Sequence, residues 1–317
     1  MKRVPMNRDE FPDTSGPKPE ILPEADKYKQ MKRLILKIPV IGTIILFMYR
    51  FTIGFAYIRT TFTMFIKWLF VSKETTNFTY HLDEMNILYL THFIAEITGK
   101  SFSEIKGYMN EIENDLSLKK HITDITESSS ERYKSDKEPR FARRIAWYAI
   151  VRSIKPKTII ETGVEKGLGS VIITAALIKN YEEGFKGKYY GTDINPKAGY
   201  LFKPPYSEFG EILYGDSIES LKKLQIDTID LFINDSDHSS EYEQKEYETI
   251  KFKLTDNSII IGDNSHITTK LQIFAKATNR RFLFFKENPK DHWYQGAGIG
   301  IAFNRKDDKT KADYYNG

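Results

Sequence analysis

Between Thr158 and Asp263 a short β-forming run meets an acid again and again. Thr158-Ile159-Ile160 runs into Glu161, Lys188 to Thr192 into Asp193, and Ile212-Leu213-Tyr214 into Gly215-Asp216. Ile229 to Ile233 runs into Asn234-Asp235, and Ser258 to Ile261 into Gly262-Asp263. Stretches of helical patterning lie between these runs, at 171–180, 218–224 and 242–252, and a further one follows at 271–277. Strand and helix in regular alternation predict an α/β fold built on a doubly wound, mostly parallel sheet. Phe282 to Phe285 and Gly298 to Phe303 predict an antiparallel pair that closes it. Ligands in such sheets bind outside the carboxyl ends of the strands. A random scatter of acids does not track strand ends, so these five carboxylates point to a site.

The first strand leads into Glu161-Thr162-Gly163-Val164-Glu165-Lys166-Gly167-Leu168-Gly169-Ser170. Glycines let a backbone approach a ligand closely, and the helix start behind them offers unpaired N–H groups. Ser170 is expected to cap that helix. Asp193, about 30 residues on and at the second strand's end, suits the diol of a ribose. Gly215-Asp216-Ser217 falls where a third strand end would touch a nucleoside base. The turn departs from the dinucleotide pattern G-x-G-x-x-G, which speaks against a dehydrogenase. Its leading acid suits a cationic amino-acid moiety better than a pyrophosphate.

Composition limits the alternatives. The chain has 317 residues, enough for about two domains. The absence of cysteine excludes disulfides, thiolate metal sites and cysteine nucleophiles, and fits a reducing compartment. A net charge of +4 is too mild to argue for nucleic acid. Met1 to Lys32 is polar and carries no secretory signal. Residues 1–26 are expected to be a disordered tail, as are 307–317.

Residues 27–75 form an apolar, aromatic arm whose charges are all basic between Lys27 and Lys73. Neither of its apolar runs, Val40–Met48 and Phe51–Phe70 with its internal Arg59 and Lys67, reaches the ~20 uncharged residues of a spanning helix. The composition predicts either a helix lying in an anionic membrane interface or an arm buried against the main domain or in a homo-oligomer. Residues 76–140 predict a helical cap. One helix carries Leu82, Met85, Leu90, Ile94 and Ile97. The next opens with a Ser101/Glu104 capping box and carries Ile105, Met109 and Ile112. Residues 122–140 are polar and predict a loop. Phe141 to Ile154 predicts an amphipathic helix leading into the first strand. The loop Lys290 to Gly296, with His292, Trp293 and Tyr294, suits sugar stacking or packing equally.

Taken as an ordered set, Glu161 to Ser170, Gly191-Thr192-Asp193, Gly215-Asp216-Ser217, Asp235-Ser236-Asp237-His238 and Gly262-Asp263-Asn264 resemble the class I S-adenosylmethionine-dependent methyltransferases. The nearest group is the catechol and caffeoyl-CoA type of O-methyltransferase with its bacterial sugar- and antibiotic-modifying relatives, akin to methyltransferase family 24. The resemblance covers about residues 141–304 and implies a Rossmann-like domain at 141–306. It implies that Glu161, Gly163, Gly167, Gly169, Ser170, Asp193, Asp216, Ser217 and Asp235 serve S-adenosyl-L-methionine. It further implies a divalent metal, Mg²⁺ by preference, on Asp235, Asp263 and Asn264. Those relatives often place a lysine base three residues after the first metal Asp, where this chain has His238. His266 is the rival base. The expected activity is metal-assisted O-methylation of a small polyhydroxylated acceptor such as a saccharide, glycolipid or natural product. The expected place is the cytoplasm, with peripheral contact at the inner face of a membrane. The competing reading is a catalytically silent relative that acts as a membrane or assembly factor.

Overall fold

The computed structural model describes residues 29, 32–34, 37–237, 239–263 and 265–305. The tails expected at 1–26 and 307–317 lie outside the described residues, as do His238 and Asn264. The chain divides into two compact units, one up to Phe62 and one from Thr63 onward.

A long helix, α1 (Pro39–Val71), runs through the division. Proline at its first turn costs no hydrogen bond there. The two apolar runs lie in this one helix of 33 residues. As one helix, α1 is long and apolar enough to cross a membrane, by length and composition. Trp68, near its end, packs edge-on against Phe78 at 5.6 Å and tilted against Trp293 at 5.1 Å. Trp293 also meets Phe65 at 5.4 Å, so the 290–296 loop is occupied by packing.

The cap follows. A two-residue strand β1 (His81–Leu82) leads to α2 (Glu84–Thr98), α3 (Phe102–Glu113) and α4 (Leu116–Ser128). Ser101 and Glu104 close the expected capping box on α3. Asp83 and Asp115 cap α2 and α4 through their side chains. α4 corrects the loop expected from 122. Leu118, Ile122 and Thr126 are buried at i, i+4 spacing, and the polar residues between them form the helix's outer face.

The sheet domain starts with α5 (Arg144–Ile154) and continues through β2 (Thr158–Thr162), α6 (Leu168–Glu182), β3 (Lys188–Asp193), β4 (Gly210–Tyr214), α7 (Ser217–Lys223), β5 (Ile229–Asn234), α8 (Ser240–Ile250), β6 (Leu254–Gly262), α9 (Lys270–Ala277), β7 (Arg281–Lys286), β8 (Pro289–Lys290) and β9 (Gly298–Phe303). Its seven strands lie in the order β4-β3-β2-β5-β6-β9-β7. β2 to β6 are mutually parallel, and β9 runs antiparallel between β6 and β7. β1 and β8 pair separately as a small antiparallel ribbon. This is the mostly parallel, Rossmann-like sheet with an antiparallel C-terminal strand that the alternation predicts, preceded by helices.

Strand alternation distributes the core between two faces. Ile159, Leu231, Ile233, Ile261 and Ile301 join α5, α6 and the cap helices on one side. Ile160, Phe232, Ile260 and Ala302 join Tyr247, Ile250, Leu271 and Phe274 of α8 and α9 on the other. The order of strands reverses between β2 and β5, which opens a crevice at their carboxyl ends.

The cap is tested through α3. Ile105 is fully buried, so Ile105→Ala should destabilise by about 2–5 kcal/mol in urea unfolding. Ser101→Ala should cost about 1 kcal/mol by removing one half of the box.

Candidate functional site

The crevice holds a cavity of about 1130 Å³. Glu161, Gly163, Gly169, Asp193, Asp216, Ser217 and Asp235 all line it, as the strand-end pattern predicts. Gly163 has φ +83°, and a Cβ there would lie 2.0 Å from the Asp235 carbonyl oxygen. Gly169 has no room either, since a Cβ would lie 2.0 Å from Oε1 of Glu161. These glycines let the turn close over the ends of β2 and β5. Gly167, at φ +90°, is the N-cap of α6 and brings no side-chain cap with it.

Ser170 does not cap α6 as expected. It lies inside the helix, and its hydroxyl donates to Glu161 at 3.3 Å and pairs with the Tyr189 hydroxyl at 2.7 Å. Tyr189 also donates to Glu161. Burial nevertheless dominates and pushes the Glu161 carboxyl up to about 7. Asp193 is clamped by the backbone N–H groups of Glu165 and Asn195, each at 2.8 Å. Each of its oxygens keeps a second lone pair for a ligand. Asp216 caps α7 through the Glu219 N–H at 2.9 Å and accepts from the Tyr242 hydroxyl at 2.9 Å. The Glu219 N–H, with Tyr242 in support, holds its carboxyl below the ordinary range.

Ser217 is turned to a buried hub. Its hydroxyl donates to Glu246, which also accepts from Ser236 at 2.9 Å, from Thr162 at 3.1 Å and from Asn234. Burial pushes Glu246 up to about 7. Sequence reading passed over Glu246 because it stands among other charged residues of an outwardly polar helix.

Of the residues expected to hold a metal, Asp235 and Asp263 lie side by side, and Asn264 is outside the described residues. Both carboxylate oxygens of Asp263 accept from the guanidinium of Arg143. Burial raises the Asp263 carboxyl, but the guanidinium overrides it and holds the group below its ordinary range. Arg143 also donates to Glu287 at 3.1 Å, and its backbone N–H donates to the same carboxylate at 3.0 Å. Tyr80 donates to Glu287 at 3.0 Å. Asp235 lies 3.5 Å from Arg144. Burial and then the charge of Asp263 push it well above the carboxylate range. Among the described residues no cluster of three His, Asp or Glu side chains forms a metal site. Both oxygens of Asp263 are thus engaged by a guanidinium in this arrangement. The adjacent arginines at the start of an apolar helix were the signal in the sequence.

His266 is half-buried and sits 3.1 Å from the Asp263 carbonyl through Nδ1. With Nδ1 donating there, Nε2 keeps its lone pair, and burial lowers the imidazole's pKa. The ring is not among those lining the cavity. His238 lies outside the described residues, although its chain neighbours Asp237 and Ser239 both line the cavity.

Residues 160–265, a third of the chain, match a family model described as a methyltransferase domain. That stretch is the part of the chain that is similar to a methyltransferase domain. No curated protein matches the chain. Among solved structures it is similar to the Podospora anserina methyltransferase PaMTH1 bound to SAH. That match has 15% identity over 73% of this chain and 100% of the other, with a TM-score of 0.45. It is similar to a Bacillus cereus O-methyltransferase, also in complex with SAH, at 11% identity, 63% and 100% coverage and a TM-score of 0.43. For the Streptomyces achromogenes O-methyltransferase TomG the values are 13%, 60%, 90% and 0.42. None of these three likenesses carries an argument about substrate or chemistry.

The arginine network gives a stability test. Arg143→Leu strands Asp263 and Glu287 as buried unpaired charges and should cost about 3–5 kcal/mol in chemical denaturation. EDTA should leave that stability unchanged. Because the folded Asp263 pKa is depressed, its contribution is complete above the unfolded carboxyl value and is lost as pH falls through the folded one. Acid titration of wild type and Arg143→Leu reads the difference.

Proposed function

We propose that the cavity binds S-adenosyl-L-methionine and that the protein transfers its methyl group to a hydroxyl of a small polyhydroxylated acceptor. One observation carries the cofactor reading. Glu161 and Asp235 are both buried at the cavity and both held above the ordinary carboxylate range. Carboxyls kept from ionising by burial are stabilised as carboxylates by an incoming cation. S-adenosylmethionine brings two, an ammonium and a sulfonium. Beside Glu161, the Nε of Arg144 is buried without a hydrogen-bond partner, a donor suited to the methionine carboxylate. Asp193 takes the ribose hydroxyls on its remaining lone pairs. The Gly163 turn brings the backbone close to the cofactor.

The volume is more than a cofactor alone requires, since ligand sites usually run about 300–1,000 Å³. Thr75, Thr76, Asn77, Ser236 and Tyr242 on its wall supply hydrogen-bonding groups suited to a hydroxylated acceptor. In the transfer, the acceptor oxygen bonds to the methyl carbon, the sulfonium C–S bond breaks, and the hydroxyl proton passes to a base. We assign the base to His238, whose chain neighbours line the cavity. The reaction as proposed uses no divalent metal, because Asp263 is taken by Arg143. Positioning does the remaining work.

Calorimetry with S-adenosylhomocysteine tests the cofactor site. Glu161→Gln and Arg144→Met should each weaken binding by about 10–150-fold, the equivalent of about 1.5–3 kcal/mol for a bond to a charged group. Both should leave adenosine, which lacks the amino acid, nearly unaffected. Glu161 must lose its proton to pair with the ammonium. Wild-type affinity should therefore rise with pH through about 7 and flatten above it, a dependence that Glu161→Gln removes. Binding of NAD with no response to S-adenosylhomocysteine would sink the reading.

For the chemistry, His238→Ala should lower turnover by about 10²–10⁴ with cofactor affinity retained. Its pH profile should lose the ascending limb near the histidine pKa of about 6.5. Transfer should persist in EDTA. A wild-type rate in His238→Ala, with collapse in His266→Ala, moves the base to His266.

A further inference from the structure

The segment Val40–Ile58 of α1 is apolar on every side. Ile41, Ile44, Ile45, Phe47, Ile53 and Tyr57 are all exposed, and at 100° per residue they point around the whole circumference. Gly42 is the one residue of α1 that is buried. A helix that docks on one protein surface, or lies flat in a membrane interface, needs an apolar stripe and a polar face. This segment has no polar face. A helix apolar all round calls for a surrounding that is itself apolar all round.

Its dimensions fit a bilayer. The roughly 19 residues from Val40 to Ile58 rise about 28 Å, close to the ~30 Å hydrocarbon core. Its backbone groups are paired within the helix. Its threonines are satisfied too, Thr43 donating to the Pro39 carbonyl at 2.6 Å and Thr52 to the Tyr49 carbonyl at 2.8 Å. Hydrocarbon demands such internal pairing. The charges gather at the two ends, with Lys29, Lys32, Arg33 and Lys37 before the segment and Arg59, Lys67 and Lys73 after it. No acid falls between Lys27 and Lys73, which complements anionic headgroups on either side. Arg50, midway, is the single charge the segment carries inside.

We infer that Val40–Ile58 crosses a lipid bilayer and anchors the methyltransferase to it. This inference stands apart from the proposed reaction. It is tested on the full chain expressed in cells, by membrane fractionation. The wild type should sediment with membranes, resist high salt and alkaline carbonate, and dissolve only in detergent. Ile45→Lys combined with Ile53→Lys adds two charges to the segment and should move the protein to the supernatant. Circular dichroism of that variant should still report the mixed α/β fold. Release of the wild type by salt or carbonate would mean that the helix lies on the membrane and would overturn the inference. A wild type soluble without detergent, as a larger oligomer, would overturn it in favour of a second copy as the apolar partner.

Discussion

The buried guanidinium of Arg143 holds together parts of the chain that nothing local would join. It stands at the start of α5 and binds Asp263 at the end of β6 and Glu287 just beyond β7. Glu287 in turn accepts from Tyr80, beside the β1–β8 ribbon, and from the Arg143 backbone N–H. That last bond satisfies an N–H at the start of a helix that has no side-chain cap of its own. An unpaired charge at this depth is expensive, so each partner is needed by the others. The helix before the first strand, the last parallel strand and the antiparallel closure are thereby fixed at one end of the sheet. That is the end where the cavity opens.

The charges around the cavity follow from this arrangement. Arg143 is balanced by the carboxylates of Asp263 and Glu287, and Arg144 faces Asp235, whose carboxyl burial and the charge of Asp263 still hold above the ordinary range. Glu161 is in a similar state on the neighbouring strand, restrained by Tyr189 and Ser170. The fold has used its strong pairings to build the frame and left two acids at the cavity with Arg144 as their shared cation. That division of labour between frame and site is what makes a cationic ligand a natural fit.

Features carried by neighbouring residues were legible in the sequence. The strand runs, their terminal acids, the glycine turn and the Ser101/Glu104 box each depend on spacings of a few residues, and the structure has them in place. What failed was of two kinds. The 122–128 segment was misjudged because Leu118 and Ile122 lie on opposite sides of the boundary drawn, which hid the i, i+4 stripe they share with Thr126. Arg50 stands between the two apolar runs, and a single charge does not end a helix, so both lie in α1. The Arg143–Asp263 pairing is of the other kind. Its partners stand 120 residues apart, and no local pattern distinguishes a carboxylate awaiting a metal from one held by a distant arginine. Glu246 escaped notice for the same reason, since its hydroxyl partners gather from β2, α7 and the β5 end only in three dimensions.

On the proposed reading, the guanidinium on Asp263 changes what the site must do for itself. A guanidinium supplies a fixed charge and directed N–H donors, and its own pKa keeps it charged at any working pH. It offers no vacant coordination position, so it cannot acidify an acceptor hydroxyl by direct ligation. Nor is Arg143 free to reach one, since its donors are spent on Asp263 and Glu287. In the proposed reaction the burden of removing the proton therefore falls on a side-chain base, the part assigned to His238. An imidazole titrates near neutrality, so it can take that proton at working pH without a metal to lower the hydroxyl's pKa first. On that reading the arginine that holds Asp263 and the histidine three residues after Asp235 divide the work, one fixing a carboxylate and the other taking the proton.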